Sequence, residues 1–568
     1  MRSVVSVVLR REDVSMSIRR YWTVFVLASV VLLAEGRARA DEPVSLGPGL
    51  RPYIHTDRYG RTLVDVCPER TLGGPRCFGQ RILYPDSHRP PIVPLSGGGG
   101  FCSSTSGGAG YAGPPSGAMT PKDVLAAYNI PSTAHADGAI VALAEFPSTN
   151  AMSDVNTYRA EFGIPALPAC PTDSMGVPTP GGTACFARVG QDGTVNTVST
   201  TDCPGWASEV ALDMDMVSAA CPDCSIVVVE GDPIAYNLPQ MNQIAATVVG
   251  AAAVDNGWGK PESGQSDSYF ASPTTLSFAA SGSNGYDDED DGPAAAIYPA
   301  SAPNVISVGG TTLKAGGGGS YSEVVWNDDA SLGGGGASGS GCSTLFPMPS
   351  YQAASGFQFG SCKMRASVDI AAAAEFCPPM GCGFGGIAVY DIDDGGWYPT
   401  VGTSTSSALA AAIMVRVGLA GKDNHALFYA NGGAFNDITS GNNDALGVCS
   451  TADKVLCTAG QQWDGPTGLG SPNGRLLLAV AGGALEPEPD AGPSDSGPRP
   501  DAGVDGGRVD AGSKPPKHDS GAPADAGTGS EIPSSSGCGC STATSRSSWM
   551  AGWLALGLLA FTRRRHSK

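Results

Sequence analysis

Short runs of hydrophobic residues alternate with alanine-rich stretches through the middle of the chain. The runs at residues 140–144 and 226–229 contain only aliphatic side chains, which is the pattern of strands buried on both faces of a sheet. The alanine-rich stretches between such runs predict helices. Strands that alternate with helices build a mostly parallel sheet covered by helices, with binding residues at the carboxyl ends of the strands. We therefore predict an α/β fold for residues 119–484.

The segments that flank this region show no such alternation. Residues 41–118 hold three Cys among Gly- and Pro-rich runs, which predicts an irregular leader held by disulfides. Residues 485–536 contain no Phe, Trp or Tyr and repeat Asp-Ala-Gly between prolines, which predicts a disordered acidic linker. Residues 537–568 combine Cys538, an apolar run and a basic end, and resemble the Myxo-CTERM tail of myxobacterial surface proteins. That resemblance implies processing near Cys538 and anchoring to the cell envelope.

The N-terminus, residues 1–40, has the organisation of a secretory signal peptide. Arg19 and Arg20 precede an apolar run at 24–34, and residues 38–40 form an A-x-A cleavage site. We predict cleavage after Ala40 and a secreted or surface-anchored protein. A retained N-terminal anchor is the alternative, although the run is too short to span a bilayer.

The cysteine content fits export. In an exported chain, 16 Cys favour disulfides over metal ligation. Spacing suggests five local pairs without fixing the connectivity: Cys170/Cys185, Cys221/Cys224, Cys342/Cys362, Cys377/Cys382 and Cys449/Cys457. Cys203 and the three leader cysteines have no evident partner in the sequence.

Charge and histidine content argue against two classes of function. The chain carries a formal net charge of −20, and nucleic-acid sites are built from clustered cations, so we expect no nucleic-acid partner. The six His form no HExxH or paired arrangement, so the sequence does not predict a zinc hydrolase. Carboxylates and hydroxyls remain as the candidate reactive groups.

Two carboxylates and one serine stand out. Glu209 and Asp213 are four residues apart on a predicted helix and share one face, in an apolar setting where an unpaired carboxylate is costly. Such a pair is also typical of a solvated helix face. Ser404 lies at the predicted start of another helix, where a serine serves either as a nucleophile or as an N-cap. A serine nucleophile needs a base, and the carboxylate pair is available for that role.

Eight short motifs follow one another along residues 119–484. They are Glu209-x-x-x-Asp213 and the segments at 257–262, 281–285, 298–303 with 308–311, 346–352, 365–370, 402–404, and 437–439 with 463–472. Together they resemble the sedolisin family of serine-carboxyl peptidases, calcium-dependent relatives of subtilisin that hydrolyse proteins at acidic pH. The resemblance implies a subtilisin-like three-layer α/β sandwich with a mostly parallel central sheet. It also implies an endopeptidase that acts on protein or peptide substrates, and we expect a monomer.

The resemblance assigns a role to each matching residue. Ser404 matches the nucleophile, Glu209 the general base, and Asp213 the carboxylate that orients Glu209 and shares a proton with it. Trp258 matches a residue that lines the substrate cleft, and Glu145 matches an acid behind the carboxylate pair. Both of these residues are equally typical of a plain core.

One position departs from the family pattern. The family motif Ser-Gly-Asp-x-Gly contains a protonated Asp that donates a hydrogen bond to the oxyanion, and Ser283 occupies that position here. Loss of one oxyanion donor costs about 10²–10³ in rate, although Ser283 and Asn284 both carry substitute donors. The alternative function is a catalytically impaired pseudo-peptidase that acts as a surface binding module. The family also carries a large folded pro-domain, for which residues 41–118 are short.

The resemblance also implies a site for one Ca²⁺ ion. Asp437 and Asp464 match carboxylate ligands, and Ile438, Gly460 and Gln462 match positions that supply backbone carbonyls. A carbonyl ligand tolerates a change of side chain, so Gln462 in place of the family's Gly is compatible with the site. The alternative is two loop aspartates without an ion.

Overall fold

The computed structural model describes residues 54–67, 74–83, 102, 110–286, 296–328, 336–420, 424–445 and 447–484. The predicted signal peptide, linker and C-terminal sorting segment lie outside the described residues. The strands are β1 Ile54–Thr56, β2 Thr62–Asp65, β3 Arg76–Cys77, β4 Gln80–Leu83, β5 Ile140–Glu145, β6 Phe186–Val189, β7 Ser225–Glu230, β8 Ala253–Asn256, β9 Trp258–Gly259, β10 Leu276–Ala280, β11 Asn284–Tyr286, β12 Ile306–Ala315, β13 Tyr321–Val325, β14 Ala337–Pro347, β15 Met364–Ser367, β16 Ile370–Cys377, β17 Ile387–Asp391, β18 Gly396–Val401, β19 Phe435–Asn436 and β20 Ser471–Pro472. The α-helices are α1 Pro121–Ala127, α2 Ala151–Glu161, α3 Ala207–Ala220, α4 Leu238–Ile244, α5 Ser350–Ser355, α6 Thr403–Arg416, α7 Asn424–Ala430, α8 Lys454–Cys457 and α9 Gly474–Ala481.

A mostly parallel sheet forms the centre of the fold. Its strand order is β13-β12-β10-β8-β5-β7-β6, and β16 also pairs with β12. The pairs run parallel except β12 with β13, which is antiparallel. All residues of β5 and β7 are buried, as the aliphatic runs in the sequence predict for strands covered on both faces.

Helices cover both faces of this sheet. Val141 and Leu143 of β5 belong to the core that includes α3 and α6, whereas Ala142 and Ala144 pack with Met241 of α4 on the opposite face. Every residue of α3 and of α6 is buried, so these two helices form the interior layer beneath the site described below. The result is the three-layer α/β sandwich that the sequence predicts.

Part of the leader is folded into this domain. Strands β1, β2 and β4 join β17 and β18 in an antiparallel sheet of order β1-β2-β4-β18-β17, and β3 pairs with β9. The expectation of an irregular leader is therefore wrong for these strands. The leader strands have two to four residues each, and the domain partners of β3 and β4 are far away along the chain, so the sequence gives little local sign of these strands.

Disulfides reinforce the loops. The five pairs suggested by spacing are all formed in the structure. Among the described residues, the other pairs are Cys67–Cys77, within the leader, and Cys102–Cys203, which ties the chain after the leader strands to the domain. In the part of the chain that the structure describes, every helix is too short or too polar to cross a membrane.

Candidate active site

Ser404 is the second residue of α6 and is fully buried. Its hydroxyl donates to the carbonyl of Gly257 at 2.9 Å and accepts from the N–H of Phe78 at 3.2 Å. Gly402, which precedes the helix, has a φ of 137°, and a Cβ there would lie 2.0 Å from the carbonyl oxygen of Phe78. Only glycine fits this turn, because its missing side chain leaves room for that carbonyl beside Ser404.

The two carboxylates of α3 lie beside the serine. A Cβ placed on Gly257 would be 2.6 Å from Oε1 of Glu209 and 2.8 Å from Oδ2 of Asp213. Both carboxyl groups therefore pack against the backbone of Gly257. The Gly257 carbonyl accepts from Ser404, which puts all three predicted residues around a single glycine. Both acids are fully buried, and none of their oxygens accepts a hydrogen bond of normal geometry from the described residues.

Two further buried acids stand behind this pair. Glu145, at the end of β5, accepts from the indole N–H of Trp206, and Asp255, on β8, accepts from the hydroxyl of Ser407. Asp255 was not singled out in the sequence, where its one signal is an acid at the carboxyl end of an apolar strand. The structure therefore gathers four carboxyl groups in one enclosed volume.

Burial raises the pKa of all four acids, because a charged carboxylate is poorly solvated there. The pKa of Glu145 rises to about 8 and that of Asp255 to about 7. The pKa of Glu209 lies well above its ordinary value because of burial and then the charge of Glu145. The pKa of Asp213 is raised by burial and then by Asp255 and Glu209. Such a cluster retains protons at pH values where isolated carboxyls are charged.

Ser283 faces the same space as Ser404. Its hydroxyl donates to the carbonyl oxygen of Phe78 at 3.0 Å and accepts from the N–H of Thr403 at 3.2 Å. Asn284 begins β11, and its Oδ1 is buried without a partner in the described part of the chain. Of the two substitute donors considered from the sequence, Ser283 is the one that contacts a carbonyl oxygen next to the nucleophile.

Trp258 lies in β9, beside the nucleophile's acceptor Gly257. Its ring is buried, with a centroid 6.4 Å from that of Tyr298, and its Nε1 has no partner among the described residues. Its backbone pairs with Cys77 of the leader. Trp258 therefore lies next to the acceptor of Ser404 along the main chain, with its ring in the core.

The residues of the candidate calcium site also come together. The N–H of Gln462 donates to Oδ2 of Asp437 and the N–H of Gly460 donates to Oδ2 of Asp464, each at 3.0 Å. Burial raises the pKa of Asp464 to about 7, and the negative charge of Asp437 adds to the rise. Ile438 follows Asp437 and is buried. Asp437 and Asp464 lie on two different loops, and carboxylates that repel each other in this way are compatible with a cation between them.

No family model matches the chain. Kumamolisin from Bacillus sp. (strain MN-32) is 30% identical over 403 residues, which are 66% of this chain and 65% of kumamolisin. Sedolisin from Pseudomonas sp. (strain 101) is 33% identical over 184 residues, which are 31% of this chain and 28% of sedolisin. The alignments thus span less than two thirds of either relative.

A solved structure supports the same relationship at the level of the fold. Pseudomonas sedolisin, a serine-carboxyl proteinase complexed with two molecules of pseudo-iodotyrostatin, superimposes with a TM-score of 0.50 at 22% sequence identity. The match covers 65% of this chain and 98% of that structure. The parallel sheet, the enclosed helices and the similarity to kumamolisin and sedolisin agree, and the chain contains a catalytic domain of the sedolisin family.

Proposed function

We propose that this protein is a secreted serine-carboxyl endopeptidase with Ser404 as nucleophile, Glu209 as general base and Asp213 as its orienting partner. The observation that carries the proposal is the convergence of Ser404, Glu209 and Asp213 on Gly257, with the hydroxyl of Ser283 directed at a carbonyl oxygen in the same space. This arrangement supplies a nucleophile, a proton acceptor and an oxyanion donor, which are the groups that acyl transfer requires.

The proposed reaction begins with attack of Ser404 Oγ on a peptide carbonyl. Glu209 takes the hydroxyl proton, after the hydroxyl turns about its Cβ–Oγ bond away from the Gly257 carbonyl. Ser283 donates to the oxyanion, and Glu209 then delivers the proton to the leaving nitrogen. Water hydrolyses the acyl-serine in the second half, with Glu209 again accepting and returning the proton.

We propose an acidic working range. The family resemblance supports it, and so does the clustering of four carboxyls, which retain a shared proton in acid. In the enclosed site described here, burial holds the pKa of Glu209 high. Because Glu209 and Asp213 share a proton in the proposed mechanism, one carboxylate of the pair stays available to accept the proton of Ser404 in acid.

We further propose one structural Ca²⁺ ion. Asp437 and Asp464 would supply carboxylate oxygens, and the backbone at Ile438, Gly460 and Gln462 would supply carbonyls. Burial, and to a smaller extent the charge of Asp437, raises the pKa of Asp464, and the ion would stabilise the charged form of both aspartates and fix the loops that hold it. Its role is stability, since these residues are not among the groups around Ser404.

Protein or peptide substrates, a monomeric state, and secretion with surface anchoring complete the proposal. The last of these rests on the sequence of residues 1–40 and 537–568, which lie outside the described residues. The pseudo-peptidase alternative predicts instead that the wild-type protein does not hydrolyse peptide bonds.

The test compares Ser404→Ala with Ser406→Ala on an unfolded protein substrate at acidic pH. Ser406 is a buried serine on the same helix whose hydroxyl donates to the carbonyl of Ala372 at 3.0 Å, so it controls for the loss of a buried hydroxyl. We expect Ser404→Ala to lose hydrolysis and Ser406→Ala to retain it. Equal hydrolysis by Ser404→Ala and wild type would rule out the mechanism. An inactive wild type that gains activity in Ser283→Asp would instead establish the pseudo-peptidase.

A further inference from the structure

Strand β8 places Asp255 on the face of the sheet that carries the proposed site. Side chains alternate between the two faces along a strand, so Asp255 and Asn256 point in opposite directions. Asn256 Nδ2 donates to Asn242 of α4 at 3.0 Å, so Asn256 lies on the face that α4 covers. On the other face, a Cβ on Gly257, two residues after Asp255, would contact Glu209 of α3. Asp255 therefore points toward the layer of α3 and α6.

Two hydrogen bonds tie the first turns of α6 to the end of β8. The hydroxyl of Ser404 donates to the carbonyl of Gly257 at 2.9 Å, and the hydroxyl of Ser407 donates to Oδ1 of Asp255. Ser404 and Ser407 are three residues apart on the helix, so their side chains are neighbours on one face. The nucleophile of the proposed mechanism is thus held at one of these positions, and Asp255 holds the helix at the next.

On the α3 side, Asp255 contacts the carboxylate pair. Asp213 forms a side-chain hydrogen bond with Asp255 and another with Glu145. A hydrogen bond between two carboxyl groups needs a proton on one of them, because an ionised carboxylate only accepts. Asp213 in turn lies beside Glu209, since both pack against Gly257. Asp255 is therefore at the far end of a row of carboxyl groups that starts at the proposed base.

The ionisable groups around Asp255 are themselves acids. Glu209 and Asp213 face it from α3 and Glu145 from β5, whereas β10, its other neighbouring strand, has no ionisable residue. Burial is the main cause of the raised pKa of Asp213, and the charge of Asp255 is the next. For Glu209, burial and the charge of Glu145 come first, and the charge of Asp255 adds to the rise in pKa. Loss of the Asp255 charge would lower the pKa of both members of the pair.

Hydrogen bonds stabilise the charged form of Asp255. Burial raises its pKa to about 7, and donation from Ser407, from Asp213 and from the N–H of Asn256 opposes that rise. Glu145, in the same volume, has a pKa of about 8. Asp255 therefore loses its proton before Glu145 as the pH increases, and its charge is in place when the carboxylate pair titrates.

We propose that Asp255 is a positioning residue of the peptidase, which fixes Asp213 against the first turns of α6 and sets the pH at which the Glu209–Asp213 pair begins to accept a proton from Ser404. This inference rests on the proposed function, in which Glu209 is the base. Asp255 acts through Asp213 and Ser407. Its negative charge opposes a second charge in the same enclosed volume, so the pair keeps both of its protons up to a higher pH than it would beside a neutral residue.

Asp255→Asn removes this charge and keeps the shape of the side chain. The amide oxygen can still accept from Ser407, and the amide N–H can donate to Asp213. Asp255→Ser is a second neutral variant with a smaller side chain. Asp215→Asn is the matched control, because Asp215 is also a fully buried acid of α3, but its Oδ2 accepts from the N–H of Tyr390 at 2.8 Å, outside the row of carboxyl groups.

The experiment measures kcat and KM for peptide hydrolysis by the full chain across the acidic and neutral range. The rising limb of kcat/KM reports the pKa of the base in the free enzyme. We expect this limb to move to lower pH by about one unit in Asp255→Asn and Asp255→Ser, the size of shift that removal of one adjacent like charge produces. Asp215→Asn should keep the limb of wild type. KM should change little in all three variants, because Asp255 and Asp215 act on no substrate group.

The contrary results separate this inference from the proposed function. A wild type that hydrolyses peptides, with an unshifted limb in both Asp255 variants, would overturn the inference and leave the proposed function standing. An equal shift in Asp215→Asn would overturn it as well, because the effect would then belong to any buried charge on α3. If both Asp255 variants fail to fold while Asp215→Asn folds, the role of Asp255 is structural and the inference is wrong. A wild type without hydrolysis at any pH would overturn both.

Discussion

Replacement of Ser283 by Ala tests the oxyanion contact directly. The hydroxyl lies 3.0 Å from the carbonyl oxygen of Phe78, and the proposed mechanism places the substrate oxyanion near this oxygen. Removal of one such donor slows acyl transfer by about 10²–10³, or about 3–4 kcal/mol of transition-state stabilisation. The serine hydroxyl is a neutral donor on a short side chain, so we expect kcat to fall by about 10², at the lower end of that range.

The same substitution has a second, separable effect. Ser283 also accepts from the N–H of Thr403 at 3.2 Å, and that N–H would lose its acceptor in the alanine variant. An unsatisfied buried donor costs about 1–3 kcal/mol of folding free energy. This cost is the same in the free and substrate-bound enzyme, so it lowers the free energy of unfolding without lowering kcat. Peptide hydrolysis at acidic pH and urea unfolding therefore report the two contacts separately.

Ser281→Ala is the matched control for this experiment. Ser281 is buried two residues away, and its Oγ has no hydrogen-bond partner among the described residues. We expect its kcat to stay within about twofold of wild type, because a substitution away from special contacts is nearly neutral. If Ser283→Ala matches Ser281→Ala in kcat, the assignment of Ser283 as oxyanion donor is refuted.

Three further predictions concern the buried acids, the calcium site and the apolar pocket in which the ring of Phe78 packs with Ala280 and Ile297. Burial raises the pKa of Glu145 from 4.5 to about 8, so the folded state binds its proton more tightly than the unfolded state. The contribution of Glu145 to stability is therefore fully present below about pH 4.5 and falls by up to about 1.4 kcal/mol per pH unit as the pH rises toward 8. Glu145→Gln should reduce that slope in urea unfolding, and an unchanged slope would count against the cluster. A calcium chelator should lower the Tm of wild type and of the loop control Asp444→Asn but leave Asp437→Asn unaffected, whereas equal sensitivity of all three would remove Asp437 from the site. Gly259→Val should move the kcat/KM preference on the acyl side from Phe toward Ala by about 10–100-fold, because the new side chain enters the pocket, and an unchanged preference would place the pocket elsewhere.

The sequence predicted the elements whose signal is local. The aliphatic runs gave β5 and β7, and the cysteine spacing gave five local disulfides. Family motifs pointed to Glu209, Asp213 and Ser404, which the structure brings together around Gly257. The strands and the disulfides are visible within a window of about twenty residues, whereas the three site residues were assigned from the order of eight motifs along residues 119–484.

Features that depend on contacts between residues far apart in the chain could not be predicted from the sequence. Asp255 is one acid at a strand end, and only the parallel register of β8 beside β5 places it behind Asp213. The leader strands are too short to show a periodic pattern and exist because β9 and β18 offer free edges. The sequence also gives no sign that the hydroxyl of Ser283 donates to the carbonyl of Phe78, a residue 205 positions away.

The pairing of β4 with β18 also sets the order in which the molecule can assemble. Gln80 pairs with Val401 in the sheet, and Arg61 bonds to Glu375. Residues near the start of the described chain therefore contact residues some three hundred positions later. Contacts of such long range form late, after the intervening chain has been ordered. During synthesis, which proceeds from the N-terminus, the groove around Ser404 therefore cannot exist before almost the whole domain does. A site built in this way is not assembled while the chain is still being synthesised, so the activity proposed for it can begin only when the domain is complete.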